Sequence, residues 1–168
     1  MLKKINLLLL LIFITTISLP SFSNVNEEVV VKGCEPFEYI TDKDSACLLI
    51  HGLGACPHEV SQLGEHLKKR GFSVFGIRYP GHGLKGKAME NYGWKDWYKE
   101  TEDKYLELKS KYKHVYVAGF STGGTLTLRL SEKHDVEKIA LLSPFIKLTY
   151  KWYYIFTPED YLNSFVGH

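Results

Sequence analysis

The sequence predicts an α/β fold in which a parallel sheet carries helices on both faces, and two observations support that prediction. Short runs rich in β-branched and aromatic residues, typical of buried strands, alternate along the chain with longer segments whose apolar residues recur every three or four positions. Such alternation favours parallel strands, because each helix carries the chain back across the sheet. With 168 residues, 45% hydrophobic and 24% charged, the chain has the composition of one globular domain.

The predicted strands follow from these apolar runs in chain order. Residues 29–32 and 37–40 predict a short leading hairpin. The strands of the parallel sheet are then predicted at 46–50, 73–77, 114–118 and 138–142. Ser143-Pro144 ends the last clear strand.

The predicted helices follow from three- and four-residue spacing. Val60, Leu63 and Leu67 share one face of a helix that closes at Gly71, which is typical of a helix C-terminus. A longer amphipathic helix is predicted by a second set with the same spacing: Trp94, Trp97, Thr101, Tyr105, Leu108 and Tyr112. A third helix follows Ser121, over Gly124 to Leu130.

The segment Gly119-Phe120-Ser121-Thr122-Gly123 lies between a predicted strand and a predicted helix. A G-x-S-x-G sequence in that context is typical of a nucleophile elbow, a strained turn that exposes the serine Oγ above the sheet. Gly119 and Gly123 are required because side chains there would collide with the neighbouring backbone. The amide groups at the start of the helix face developing negative charge. Ser121 is therefore the predicted nucleophile.

A second motif, His51-Gly52-Leu53-Gly54, follows the predicted strand 46–50. A glycine-rich turn at the carboxyl end of a parallel strand can direct a backbone N–H at a substrate oxygen. The predicted oxyanion donors are the amides of Leu53 and Thr122. His51 precedes the serine, whereas this type of site takes its histidine from later in the chain, so we predict that His51 braces the turn together with Gly52.

Several segments together resemble bacterial α/β-hydrolase carboxylesterases, similar to monoacylglycerol lipases and lysophospholipases. The resemblance extends from about Gly33 to Pro144 and rests on these segments: Gly33-Cys34-Glu35-Pro36-Phe37, Leu48-Leu49-Ile50-His51-Gly52-Leu53-Gly54, Arg78-Tyr79-Pro80-Gly81-His82-Gly83, Trp94 with Trp97, and Gly119-Phe120-Ser121-Thr122-Gly123-Gly124. It implies a serine hydrolase of carboxylic esters, such as acyl esters or monoacylglycerol-like lipids, that forms an acyl-enzyme on Ser121. It implies no cofactor and no metal.

The acid and the histidine of the expected triad are not found in the sequence. In the family they follow two later strands, whereas the residues available after Ser121 are Glu132, His134, Asp135, Glu137, Glu159, Asp160 and His168. We therefore expect residues 24–168 to be an incomplete hydrolase domain that stops after about the sixth strand, with 145–168 as the start of a lid-like segment. The alternative is a catalytically inactive fragment or relic that binds lipid or a partner. The outer edge of 138–142 and the aromatic run 150–156 predict self-association.

The N-terminus has the pattern of a signal peptide. Lys3-Lys4 precede an apolar stretch from Ile5 to Leu19, and small residues in Pro20-Ser21-Phe22-Ser23 predict cleavage after Ser23. The predicted destination is the periplasm or the medium, and the alternative is an uncleaved membrane anchor. Export would place the three cysteines in an oxidising compartment, where Cys34 with Cys56 is the favoured pair and Cys47 is a buried apolar residue.

Other classes of function find little support in the sequence. A net charge of +2, without a basic run, gives no indication of nucleic-acid binding. Gly52-Leu53-Gly54 resembles a dinucleotide fingerprint, but Pro57 stands where the third glycine belongs. His58-Glu59 begins a zinc-site pattern that lacks its second histidine.

Overall fold

The computed structural model describes residues 29–41, 43–85 and 87–146. These residues form a five-stranded sheet with helices on both faces. In chain order the elements are β1 (Phe37–Tyr39), β2 (Ser45–Ile50), α1 (Ser61–Lys69), β3 (Ser73–Gly76), α2 (Trp94–Lys111), β4 (His114–Phe120), α3 (Thr122–Lys133) and β5 (Lys138–Leu142). Two short 3₁₀ turns, Pro57–Val60 and Ala88–Asn91, precede α1 and α2. The predicted α/β class is confirmed.

The sheet has the order β1-β3-β2-β4-β5, and its four later strands are parallel. The pairing of Ile50 with Gly119 brings the carboxyl ends of β2 and β4 together at one edge. We call this the carboxyl edge of the sheet. Because the two predicted motifs follow β2 and β4, they meet there.

The prediction of a leading hairpin is wrong. β1 pairs antiparallel with β3, while Val30 forms an isolated bridge with Leu84. The N–H of Val31 donates to the carbonyl of Gly83 at 2.8 Å, and a disulfide joins Cys34 to Cys56. These long-range links hold residues 30–34 against the loops that follow β2 and β3, so that this segment does not pair with β1.

Side chains of the central strand alternate between two cores. Leu48 and Ile50 of β2 face a larger cluster with Tyr105 of α2 and Leu130 of α3. Cys47 and Leu49 point the other way, into a smaller cluster that Leu63 and Leu67 of α1 join. Burial on both faces explains why 46–50 is a continuous apolar run.

The predicted helices are present, with one difference in the buried face of α2. Gly71, at φ +90°, follows α1 and donates its N–H to the carbonyl of Lys68 at 2.8 Å, as a helix C-terminus requires. In α2 the buried positions are Tyr98, Thr101, Tyr105 and Leu108, whereas Trp94 is 54% exposed. Trp94 has the spacing of this buried stripe, four residues before Tyr98, but as the first residue of the helix it is exposed.

The favoured cysteine pair is the one that the structure bonds. Cys34 and Cys56 have a Cα–Cα distance of 5.2 Å, and Cys47 is a free, buried cysteine in β2. Burial raises the pKa of the Cys47 thiol to about 12, so that it remains protonated. Cys47 thus behaves as an apolar core residue.

β5 is partly exposed, and within the described residues its sheet partner is β4. Leu142, Phe145 and Ile146 are exposed there, so self-association through this edge remains a prediction. The proposed signal peptide, the aromatic run 150–156 and nearly all of the lid-like segment lie outside the described residues. None of the helices in the described ranges has the length and apolarity to cross a membrane.

Candidate active site

Ser121 occupies a sharp turn between β4 and α3. Its backbone has φ 51° and ψ −117°, a left-handed conformation that is strained for a residue with a side chain. The N–H of Ser121 donates to the carbonyl of Leu142 at 2.9 Å, and its carbonyl accepts from the N–H of Gly124 at 2.9 Å and of Phe145 at 3.2 Å. The end of β5 and the start of α3 therefore hold the strained turn in place.

Two glycines make this turn sterically feasible. A Cβ on Gly119 would collide with the carbonyl of Gly123, and a Cβ on Gly123 would collide with the carbonyls of Ile50 and His51, the latter oxygen being 2.6 Å away. Real Cβ atoms do not approach backbone this closely. The spacing of the motif therefore reflects the close approach of α3 to the ends of β2 and β4.

The His51-Gly52-Leu53-Gly54 turn, here called the oxyanion loop, lies directly beside Ser121. A Cβ on Gly52 would be 3.4 Å from the Cβ of Ser121. Thr122 is the first residue of α3, and the first amides of a helix have no carbonyl partner within that helix. The oxyanion loop and the start of α3 thus both adjoin Ser121, and the donor roles of Leu53 and Thr122 remain predictions.

His51 is completely buried, and its contacts are those of a brace. Its Nδ1 donates to the carbonyl of Gly52 at 2.8 Å, and its ring packs on Tyr79, with 4.2 Å between the ring centroids. The hydroxyl of Tyr79 donates to the carbonyl of His51 at 2.7 Å. Burial lowers the pKa of His51 to about 4, so the ring is neutral at pH 7.

His82, in the loop that follows β3, is also buried. Its ring packs between those of His51 and Trp97, with centroid distances of 5.3 and 5.0 Å. Burial lowers the pKa of His82 as well. Nε2 of both histidines and Nε1 of Trp97 are buried and have no hydrogen-bond partner among the described residues. The two imidazoles therefore form a buried polar layer next to the oxyanion loop.

Glu59 contacts the oxyanion loop, although the sequence suggested only an incomplete metal motif at this position. Its carboxylate Oε2 accepts the N–H of Gly52 at 2.7 Å. The available signal was a carboxylate seven residues after Gly52, but nothing in the sequence indicates that the 3₁₀ turn folds back toward the loop. No group of three metal-ligating side chains occurs among residues 29–41, 43–85 and 87–146.

Two histidine–carboxylate pairs lie at the opposite, amino edge of the sheet. Nε2 of His134 is 2.7 Å from Oε1 of Glu102, and Nδ1 of His114 is 3.0 Å from Oε2 of Glu137. His134 directly follows α3, whose 12 residues separate it from Ser121 by about 18 Å along the helix. Neither pair can assist Ser121. Glu159, Asp160 and His168 lie outside the described residues.

Comparison with known proteins defines the class of this chain. Residues 41–165 match the model of the family described as "Serine aminopeptidase, S33", which is more than half of the sequence. The chain belongs to this family, and its fold is the α/β-hydrolase fold.

Two characterised relatives come from bacilli. The chain is 39% identical over 105 residues to a thermostable monoacylglycerol lipase of Bacillus sp. (strain H-257), an alignment covering 62% of this chain and 42% of the relative. It is 36% identical over 88 residues to a carboxylesterase of Bacillus subtilis (strain 168), covering 52% and 36%. The matched part thus spans about two fifths of each relative's length.

Solved structures share the fold at lower identity. One comes from a study of LipS and LipT, two metagenome-derived lipolytic enzymes, with a TM-score of 0.68 at 22% identity, covering 73% of this chain and 50% of the other. Another is a monoacylglycerol lipase of Paleococcus ferrophilus, with a TM-score of 0.60 at 22% identity, covering 78% and 48%. At this identity they establish the architecture and nothing finer.

Proposed function

We propose that this protein hydrolyses carboxylic esters, with Ser121 as the nucleophile. The observation that carries the proposal is the strained turn at Ser121 beside the oxyanion loop. Strain at a non-glycine residue persists only where the surrounding structure enforces it, and such positions cluster at functional sites. Here α3, β5 and the oxyanion loop all converge on one serine.

The reaction would proceed in two steps through an acyl-enzyme. Ser121 Oγ attacks the acyl carbonyl while its proton passes to a general base, and the C–O bond to the departing alcohol breaks as that alcohol takes up a proton. Water then cleaves the acyl–serine ester and releases the acid. The amides of Leu53 and Thr122 would stabilise the oxyanion in both steps.

The relatives indicate the substrate class. A monoacylglycerol lipase and a carboxylesterase are the characterised relatives at 39% and 36% identity, which favours acyl esters and monoacylglycerol-like lipids. The family description names an aminopeptidase, whose amide substrate would use the same nucleophile and oxyanion site. Identity to the ester hydrolases supports esters over amides.

The test combines turnover with covalent labelling. Purified protein is assayed with p-nitrophenyl butyrate and separately treated with a fluorophosphonate, and the labelled peptide is located by mass spectrometry. Where a general base serves Ser121, we expect phosphonylation at Ser121 and a loss of about 10⁴-fold or more in turnover in Ser121→Ala. Wild type and Ser121→Ala that are equally inert in both assays would instead support the relic that binds but does not catalyse.

We also infer that the protein is exported, with cleavage near Ser23. The disulfide between Cys34 and Cys56 supports this, because disulfides persist in oxidising compartments. Mass spectrometry of the protein from its native host would test it. A mature N-terminus at Asn24 is expected, and an N-terminus at Met1 in the membrane fraction would support the anchor.

A further inference from the structure

The oxyanion loop contains one peptide unit whose orientation decides whether Leu53 can act as a donor. The carbonyl of Gly52 and the N–H of Leu53 belong to the same planar peptide and point in opposite directions. That carbonyl accepts from Nδ1 of His51 at 2.8 Å and from the N–H of Ala55 at 3.3 Å. These two bonds fix one side of the peptide.

The preceding peptide is fixed by Glu59. The N–H of Gly52 donates to Oε2 of Glu59 at 2.7 Å, a charge-assisted bond of the stronger class. The position where a Cβ of Gly52 would stand is 3.2 Å from this Oε2 and 3.4 Å from the Cβ of Ser121. Gly52 therefore lies beside both the carboxylate and the nucleophile, and the carboxylate holds the backbone between β2 and Leu53.

The backbone that carries Glu59 is itself anchored. Glu59 lies in the 3₁₀ turn Pro57–Val60, where its N–H donates to the carbonyl of Cys56 at 3.0 Å. Cys56 is bonded to Cys34, and Pro57 and Val60 are buried. The 3₁₀ turn is therefore fixed to the core through its buried residues and to the N-terminal segment through the disulfide. Because the turn is fixed, Glu59 can hold the backbone of Gly52 in one position.

We propose that Glu59 is a positioning residue: its hydrogen bond to Gly52 holds the oxyanion loop so that the Leu53 amide faces the site at Ser121. The inference rests on the proposed function for its effect on catalysis. The contribution is the hydrogen bond, and the negative charge is not required. A glutamine at position 59 presents a carbonyl oxygen to the same N–H, whereas an alanine presents no acceptor.

Three variants separate the bond from the charge: Glu59→Gln, Glu59→Ala and, as a control, Glu65→Ala. Glu65 is an exposed carboxylate of α1, six residues further along, so its loss changes the net charge equally. We expect Glu59→Ala to lower kcat for p-nitrophenyl butyrate about ten- to a hundredfold with little change in KM, because the misplaced donor acts in the transition state. Glu59→Gln should recover most of that loss, and Glu65→Ala should match wild type.

Amide hydrogen exchange gives a readout that does not depend on activity. In Glu59→Ala the Gly52 amide should exchange about tenfold faster or more, with protection restored in Glu59→Gln and unchanged in Glu65→Ala. Unchanged Gly52 exchange in Glu59→Ala would overturn the proposal. So would equal losses of kcat in the Gln and Ala variants, which would assign the effect to charge.

The failure of the proposed function would look different. If wild-type protein neither turns over ester nor accepts the fluorophosphonate, the chemistry assigned to Ser121 is wrong. The exchange rates of Gly52 and Leu53 in the same variants would still decide whether Glu59 holds the loop.

Discussion

Histidines occupy both edges of the sheet, and their hydrogen bonding and burial differ between the two edges. At the carboxyl edge, His51 and His82 are buried and neutral, and each has one ring nitrogen without a partner among the described residues. At the amino edge, His134 is half-buried and bonded to Glu102, which also accepts from the hydroxyl of Tyr98 at 2.8 Å. The histidine that is hydrogen-bonded to a carboxylate is thus at the edge far from Ser121.

The contrast shows why a histidine–carboxylate pair does not by itself indicate catalysis. His134 and Glu102 have the composition of an acid–base pair, but α3 separates them from Ser121. Their hydrogen bonds connect the end of α3 to α2, which is a structural task. At the carboxyl edge, by contrast, buried ring nitrogens of His51 and His82 have no hydrogen-bond partner among the described residues. Unsatisfied groups of this kind are expected where a site accommodates a substrate and stores strain.

Backbone packing is the first way to test the difference between the edges. At the carboxyl edge, Gly123→Ala forces a Cβ into the carbonyls of Ile50 and His51, so we expect a loss of about 3 kcal/mol or more in the free energy of unfolding. At the amino edge, Gly71→Ala meets the flexible side chain of Lys43 and costs about 1–2 kcal/mol for its left-handed φ. Urea melts would measure both, and similar losses would mean that the elbow relaxes easily.

Acid should affect the two edges in different pH ranges. His51 is neutral in the folded state, with its pKa lowered by burial to about 4, whereas the unfolded chain takes up the proton near its ordinary value of 6.5. Stability is therefore full above about pH 6.5 and falls by about 3 kcal/mol as the pH drops to 4. His82, whose pKa is also lowered, acts in the same direction.

Glu102, at the amino edge, affects stability in a lower pH range than His51 does. Hydrogen bonds from His134 and Tyr98 hold its pKa below the ordinary 4.5, so its contribution to stability is present above 4.5 and is lost only at lower pH. Urea melts of wild type and His51→Asn from pH 7.5 to 3.5 would separate the ranges. The variant should show a smaller change in stability between pH 6.5 and 4, and an unchanged slope would contradict the buried neutral state.

Strain at Ser121 should appear as a difference between two inactive variants. Ser121→Ala keeps a Cβ in the left-handed conformation, whereas Ser121→Gly removes it. We expect the glycine variant to be about 1 kcal/mol more stable than the alanine variant, since relief of strain exceeds the entropy that glycine adds to the unfolded chain. Thermal and urea melts would measure this. Equal stability would show that the turn is not strained.

The sequence predicted the elements that are encoded locally and missed those that depend on distant contacts. The β4–Ser121–α3 unit is recognisable because one strand, one glycine-flanked turn and one helix follow each other directly. The pairing of β1 with β3 was missed because the hydrogen bond from Val31 to Gly83, which draws the first segment away from β1, joins residues that are far apart in the sequence. Glu59 was missed for the same reason, since its partner Gly52 is reached only when the 3₁₀ turn folds back.

The smallest predicted effect is at His134, and it tests the comparison most directly. His134→Gln removes one bond of a partly exposed network, so the free energy of unfolding should fall by only about 0.5–1 kcal/mol. Glu102→Gln should cost about the same, and the double variant should cost less than the two single variants added together, because they share one interaction. Fluorophosphonate labelling of Ser121 should proceed at the wild-type rate in all three, because α3 separates the pair from the serine. A large loss of labelling in His134→Gln with intact stability would make His134 part of the reaction and would abolish the distinction between the two edges.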